Sequence, residues 1–260
     1  VAADRRPTPI SACVICHQEA DRIADCLRSL AFCDEVVVVD SGSTDATPAI
    51  ATALGARVIQ NAPFPGFAAQ RQFAIDHAGH DWVLCLDADE RVTPELTQRI
   101  VELATAGTLR GGYRLPRRSH YLGRVMRHGL FWPDRKLRLF DRRCGRVVAN
   151  PPHDHVELVP DAPVADLEGC LEHLNYRTFR DHLRTIDSYS RQAALAMQST
   201  GRRVTLFDLL VRPPSVFVKS LLLKLGVLDG WRGVVCAALA GWHDWLKYWR
   251  LFRLPPRGSA

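Results

Sequence analysis

Trp82-Val83-Leu84-Cys85-Leu86-Asp87-Ala88-Asp89-Glu90 is a short apolar run that drives straight into three carboxylates. A continuous apolar run of strand length, bounded by polar residues, is the pattern of a strand buried on both faces of a parallel sheet. In open α/β sheets ligands bind outside the carboxyl ends of the strands. Two carboxylates one residue apart at such an end can hold a hard divalent cation that also grips substrate phosphates. The plainer reading is that Asp87, Asp89 and Glu90 only end a strand and feed the helix begun at Thr93-Pro94-Glu95. That suits any one of the three better than all of them.

Upstream, Glu35-Val36-Val37-Val38-Val39-Asp40 repeats the pattern: a β-branched strand ending in an acid. Ser41-Gly42-Ser43-Thr44-Asp45 follows, a run of small residues and cap formers before a helix that ends near Leu54-Gly55, with Thr47-Pro48 as an alternative start. Such a turn opens backbone amides to a polar ligand, although every βα unit needs a turn. Ile10 to Cys16 is a first strand, and Ala20, Ile23, Ala24, Leu27 and Leu30 then fall at helical spacing. Ala56 to Gln60 is a third strand, Phe67 to His77 a helix carrying Gln70 and Arg71, and Thr93 to Thr105 another helix. Strand and helix alternate as in a parallel, nucleotide-binding sheet.

Downstream of Gly111 the pattern changes to short strands rich in arginine, Tyr113 to Pro116 and Arg135 to Phe140. Alternation of Leu137 and Leu139 with Lys136 and Arg138 predicts a half-exposed strand. Asn150 to Glu157 is expected to be a loop, begun by Pro151-Pro152 and dense in titratable groups. Thr178 to Ser199 is an amphipathic helix stopped by Gly201. Beyond Pro213-Pro214 the chain is rich in Leu, Val and Trp. Trp242, Trp245 and Trp249 share a helical face near Lys247, Arg250 and Arg253. That suits a helix lying in a membrane interface, or equally one packed on the protein's own core.

The 260 residues suit one large α/β domain with a helical appendix, and 47% hydrophobic content marks a globular chain. A net charge of +6 and a pI near 9.0 favour anionic partners. No helix-turn-helix, zinc or RNA-recognition signature is present, so no nucleic acid is expected. The eight cysteines are expected to be free thiols of a reducing compartment. Cys13 and Cys16 have the spacing of a redox or zinc pair, but strand geometry sends them to opposite faces. No uncharged apolar run approaches the ~20 residues of a membrane span, and no secretory leader is apparent, so the expectation is a cytoplasmic protein or one lying on a membrane.

Ile10 to Ile15, the segment Asp-Glu-Val-Val-Val-Val-Asp-Ser-Gly-Ser-Thr-Asp (34 to 45), Gln70-Arg71 and Asp87-Ala88-Asp89-Glu90-Arg91 together resemble glycosyltransferase family 2 over about residues 8 to 180. These are inverting transferases of GT-A fold that use nucleotide-activated sugars. Trp-Pro-Asp with Leu-Arg-Leu-Phe (132 to 140), the His153-Asp154 loop, His173 and Leu-Asp-Gly (228 to 230) resemble the branch containing lipopolysaccharide-core β-1,4-glucosyltransferases.

The resemblance implies an α/β fold: a GT-A-type, nucleotide-binding mixed sheet flanked by helices, with an α-helical carboxyl-terminal extension. It places the transferase domain at 8–178, with a nucleotide-sugar half at 8–110 and an acceptor half at 111–178, followed by the helical region at 179–255, for which membrane association and packing on the core both stand. Glu19, Asp40, Ser41, Asp45, Arg71, Asp87 and Asp89 would bind the nucleotide sugar. Asp89 and His173 would hold a divalent metal, Mg²⁺ or Mn²⁺. Asp154, with Glu90 in reserve, would deprotonate the acceptor hydroxyl, and Arg135, Arg138 and His153 would meet the acceptor. Asp154 stands where the branch usually shows Glu, and Gln18 and Gln72 where it usually shows Asn. The implied reaction moves a hexose, with glucose from UDP-glucose the leading choice, onto an inner-core sugar of a lipid-linked saccharide at the cytoplasmic face of the inner membrane. Transfer to a polyprenyl phosphate or exopolysaccharide intermediate shares the same donor residues. A module that binds nucleotide without catalysis is the non-enzymatic alternative.

Overall fold

The computed structural model describes residues 8–150 and 153–255. Its strands are β1 (Ile10–Cys16), β2 (Glu35–Asp40), β3 (Arg57–Gln60), β4 (Trp82–Asp87), β5 (Glu90–Val92), β6 (Gly112–Tyr121), β7 (Arg124–Val125), β8 (Arg135–Asp141), β9 (Gly145–Asn150), β10 (His153–Leu158), β11 (Val164–Asp166) and β12 (Leu171–Tyr176). Its α-helices are α1 (Ile23–Ser29), α2 (Thr47–Ala53), α3 (Phe67–Asp76), α4 (Pro94–Thr105), α5 (Phe179–Ser199), α6 (Leu206–Leu210), α7 (Arg212–Val218) and α8 (Trp231–Arg253). The chain forms two compact units, Val1–Arg117 with Asp134–His173, and Arg118–Pro133 with Leu174–Ala260.

In the first unit the sheet order is β3-β2-β1-β4-β8-β6. The four amino-terminal strands are parallel, and β8 and β6 add antiparallel. The continuous apolar strands are explained by two cores. Ile10, Ala12, Val14 and Cys16 pack with α1, α2 and α4 on one face, while Cys13 and Ile15 pack with Ala74 and Ile75 of α3 on the other. Cys13 and Cys16 therefore part company, and all eight cysteines are free. Thr93 caps α4 by accepting from the Leu96 amide, and Pro94 takes the first helical position.

Two expectations are corrected. The titratable segment after Pro152 is a strand, because Val156 and Leu158 alternate inward against the α3 core while His155 and Glu157 face water, and β10 closes a hairpin with β9. The half-exposed reading of β8 also fails: from Arg138 onward the strand is buried, because it lies inside the sheet between β4 and β6.

The second unit is mainly helical. Thr178 and Asp181 form a capping box at the start of α5, and Thr205 and Asp208 form another on α6. Tyr121, Met126 and Cys236 make a small core, and His182 stacks on Tyr176 at 4.2 Å. Trp242, Trp245 and Trp249 do share a face of α8, stacked in succession at 5.1 and 5.4 Å. Lys247 is paired with Asp244 and Arg250 with Asp187, so these two cations of the helix are tied within the fold. No helix among the described residues is long and apolar enough to cross a membrane.

Candidate active site

Strand register assembles the site. Asp40 pairs with Cys16 and Asp87 with Ile15, so two acid-tipped strands end on either side of β1 at one edge of the sheet. Partners across a ladder face the same way, which sends the Asp40 side chain toward α1 and α2 and that of Asp87 toward α3.

Asp40 is fully buried, and its oxygens shape the turn that follows. Oδ2 accepts from the amides of Gly42 (3.1 Å) and Ser43 (2.8 Å), and Oδ1 accepts from Ser43 Oγ (2.5 Å) and Cys16 Sγ (3.4 Å). The structure thus supplies a local, structural motive for this acid. Gln18 stitches the loop after β1 onto the same turn: its amide donates to Ser43 Oγ (2.8 Å) and its Oε1 accepts from the Asp45 amide (3.2 Å). Asp45 accepts from Thr47 Oγ1 (2.5 Å) and the Ala20 amide (3.2 Å), and the Glu19 amide donates to Thr47 Oγ1 (2.8 Å). Ser41 Oγ accepts from Gln70 Nε2 of α3 (2.9 Å). Two loops distant in sequence become one braced rim.

At the end of β4 the turn Ala88-Asp89 redirects the chain, so Asp87 and Asp89 have different neighbours. Asp87 Oδ1 accepts from Arg71 Nη2 (2.8 Å) and Oδ2 from Arg138 Nη2 (2.8 Å). Burial opposes its charge, but the flanking Arg71 and Arg138 outweigh burial and hold the carboxyl well below the usual range. Asp89 Oδ2 lies 3.4 Å from His173 Nε2 and 3.6 Å from Arg22 Nη1. Burial raises the Asp89 pKa, and the charge and hydrogen bond of His173 more than reverse that. His173 arrives there because β12 pairs with β5 in the register that sets it opposite Glu90. Arginines thus occupy both Asp87 oxygens, while Asp89 lies beside His173, the two residues expected to hold a metal.

Arg71 is 2% exposed and links two expected site residues. Its Nε donates to Asp154 Oδ2 (2.6 Å) while Nη2 holds Asp87, and Nη1 is buried without a partner. Burial works against this charge, and Asp87 and Asp154 together overcome it. An orphaned N–H on a buried guanidinium costs about 1–3 kcal/mol unless an acceptor meets it. Asp154 Oδ1 takes no hydrogen bond among the described residues.

Glu90 is fully buried and occupied at both oxygens. Oε1 accepts from Arg138 Nη2 (3.0 Å) and Arg117 Nη1 (3.2 Å), and Oε2 from the Asp87 amide (3.0 Å). Arg138, expected to face an acceptor, is instead buried between Asp87 and Glu90. Arg135 is exposed and 3.3 Å from Asp166. The side chain of His153 lies outside the described residues. Arg22, Arg117 and Asp134, which pairs with Arg117 at 2.6 Å, were not anticipated. The available signal was the crowding itself, since three carboxylates at a strand end demand counter-charges.

No group of three or more His, Cys, Asp or Glu among the described residues is arranged to hold a metal ion. A surface hollow of about 590 Å³, lined by residues including Cys33, Glu35, Leu54 and Arg57, opens at the amino ends of β2 and β3, away from these groups.

Residues 11–147 match the model of glycosyl transferase family 2. The chain is 31% identical over 216 residues, 81% of its length and 80% of the relative's, to the lipopolysaccharide core biosynthesis glycosyltransferase LpsC of Rhizobium meliloti. It is 29% identical to a glycosyltransferase of Rickettsia felis, covering 93% of this chain and 89% of that one. Among solved structures, mannosyltransferase PcManGT from Pyrobaculum calidifontis, in complex with GDP-Man and Mn²⁺, superposes with a TM-score of 0.56 at 15% identity, covering 96% of this chain and 88% of that one. TarS 1-349 of S. aureus, in complex with UDP-GlcNAc, superposes with a TM-score of 0.53 at 14% identity, covering 94% and 92%. At these identities the likeness is one of fold, the mixed sheet flanked by helices of the GT-A type.

Proposed function

Because the chain belongs to glycosyl transferase family 2 and is a glycosyltransferase, we propose that it transfers a hexose, glucose from UDP-glucose, onto an inner-core sugar of a lipid-linked saccharide. The observation that carries the donor side is the meeting of Arg71, Asp87 and Asp154 at the sheet edge, with Arg71 Nη1 buried and lacking an acceptor. A diphosphate oxygen is the group whose charge and lone pairs suit that N–H. The named relative acts in lipopolysaccharide core biosynthesis, which supports the acceptor class, and two fold neighbours hold nucleotide sugars.

A divalent cation, Mg²⁺ or Mn²⁺, fits the donor set in one way. Asp89 offers a carboxylate, with the His173 imidazole 3.4 Å from it, and Mg²⁺ is commonly held by one or two carboxylates with substrate phosphates completing its shell. Bound there it would supply Lewis-acid neutralisation of charge on the departing diphosphate. The rest falls to the protein. Asp40 holds the 41–43 turn in shape for the nucleotide, Ser41 and Asp45 line that rim, and Glu19 orients Arg22 toward Asp89 (Arg22 Nε to Glu19 Oε2, 3.3 Å). Arg71 steadies Asp87 and leaves Asp154 one oxygen to take the acceptor's proton. General-base help of this kind is worth roughly 10²–10⁴ in rate. Arg135 and His153 would meet the acceptor. The enzyme would work as a peripheral protein at the cytoplasmic face of the inner membrane.

The test is a panel of nucleotide sugars, reading nucleotide release with Mg²⁺, with Mn²⁺ and with chelator, each with and without a lipid-linked core acceptor. UDP-glucose should be turned over only with acceptor and metal. Turnover confined to another sugar would replace the donor, and binding of UDP with no release under any condition would overturn the catalytic reading.

A further inference from the structure

The helical unit leaves a short stretch of leucines in solvent. Val218, Leu222, Leu223, Leu225, Leu228 and Trp231 are between 45% and 77% exposed, along a stretch that runs from the end of α7 through a π-helical turn (Lys219–Leu223) and a 3-10 turn (Gly226–Asp229) to the start of α8. Lys219 and Lys224 are exposed among them, and neither forms an ion pair among the described residues. Asp229, the one acid between Val218 and Trp231, is turned inward: it accepts from the amides of Arg127 (3.1 Å) and His128 (2.9 Å) and lies 3.2 Å from His128 Nδ1. The stretch is also braced. A Cβ on Gly233 of α8 would fall 1.8 Å from the Gly226 carbonyl oxygen, so the second turn is seated directly on the helix behind it.

We propose that the Val218–Trp231 stretch is a docking edge for an anionic bilayer, its leucines entering the interface while Lys219 and Lys224 meet lipid phosphates. Protein–protein interfaces are depleted in lysine, whereas interfacial membrane segments set Lys beside Leu and Trp and let the ammonium reach the headgroups. The absence of an outward-facing acid in the stretch favours an anionic surface. On the tryptophan face of α8, by contrast, Lys247 and Arg250 are neutralised by Asp244 and Asp187, which leaves Arg253 at the last turn as the exposed cation. This deepens the proposed peripheral placement by naming the surface that makes the contact.

The test is co-sedimentation of the whole chain with vesicles of phosphatidylcholine alone, or of phosphatidylcholine containing phosphatidylglycerol, with no donor or acceptor present. Wild type should bind the anionic vesicles and largely ignore the neutral ones. Lys219→Gln with Lys224→Gln should weaken binding on the order of thirtyfold, at ~1 kcal/mol for each charge near the surface. Leu222→Glu with Leu223→Glu should abolish it, while far-UV circular dichroism and nucleotide release with a soluble acceptor analogue stay at wild-type levels. Wild-type protein left in the supernatant, or equal binding by all three proteins, would overturn the proposal. So would a wild-type dimer that the glutamate pair converts to monomer, which would assign the face to a second copy. Because vesicle binding is read without substrates, it stands or falls apart from the sugar-transfer reading.

Discussion

Replacing Glu90 by Gln separates two roles that the chemistry of a carboxylate allows at this position. Glu90 is wholly buried, with Arg138 and Arg117 on one oxygen and the Asp87 amide on the other. Removing its charge leaves the buried guanidinium of Arg138 and the half-buried one of Arg117 each short of one anionic partner, and breaking a buried ion pair costs about 3–5 kcal/mol. Gln can present its carbonyl to the arginines only by turning its NH₂ against the Asp87 N–H, so relaxation recovers little. For a chain of this size a loss of that order lowers the thermal midpoint by roughly 10 °C. We expect that fall in far-UV circular dichroism melts, with nucleotide release at 20 °C reduced about tenfold or less, because the residue holds the Asp87–Asp89 turn and does not meet substrate. An unchanged midpoint with kcat lowered by about 10²–10⁴ and an unaltered donor KM would refute this reasoning and make Glu90 the base.

Asp154→Asn retains an oxygen for Arg71 Nε, so donor KM should hold while kcat falls by about 10²–10⁴; full activity would remove Asp154 from the chemistry. Chelator should abolish nucleotide release, with Mn²⁺ or Mg²⁺ restoring wild type but not Asp89→Ala; chelator-insensitive turnover would exclude the cation at Asp89 and His173. Burial, with His243 adding, lowers the His182 pKa from its ordinary 6.5 to about 4. The folded state favours the neutral ring, so its contribution is intact above about pH 6.5 and is lost as pH falls toward 4, at most roughly 3 kcal/mol. Urea midpoints followed by tryptophan fluorescence should fall across that window, since every tryptophan except Trp82 lies in the helical unit. The fall should largely vanish in His182→Gln, and an equal slope in the variant would refute the assignment.

Much of the amino-terminal half was legible because its signals are local. Unbroken apolar runs at Ile10 to Cys16, Glu35 to Asp40 and Trp82 to Asp87 require burial on two faces, and a strand so buried ends where ligands bind. Caps and turn residues then marked α4 and α5 within a residue. Reading failed where the decisive fact was a neighbour. Alternation in β8 says that two faces differ, not which of them water reaches, and only its place between β4 and β6 buried Arg138. Pro151-Pro152 and a run of charges hid β10, whose inward Val156 and Leu158 find their core on α3. Carboxylates at strand ends were visible as residues. Which carboxylate faces a cation was decided by contacts across 83 residues for Arg71 with Asp154 and 51 for Arg138 with Asp87. Sequence by itself determined that acidic strand tips gather at one edge. Tertiary structure alone decided that Arg71 and Arg138 take both oxygens of Asp87 while Asp89 meets His173, because charge pairing depends on distance in space and not along the chain.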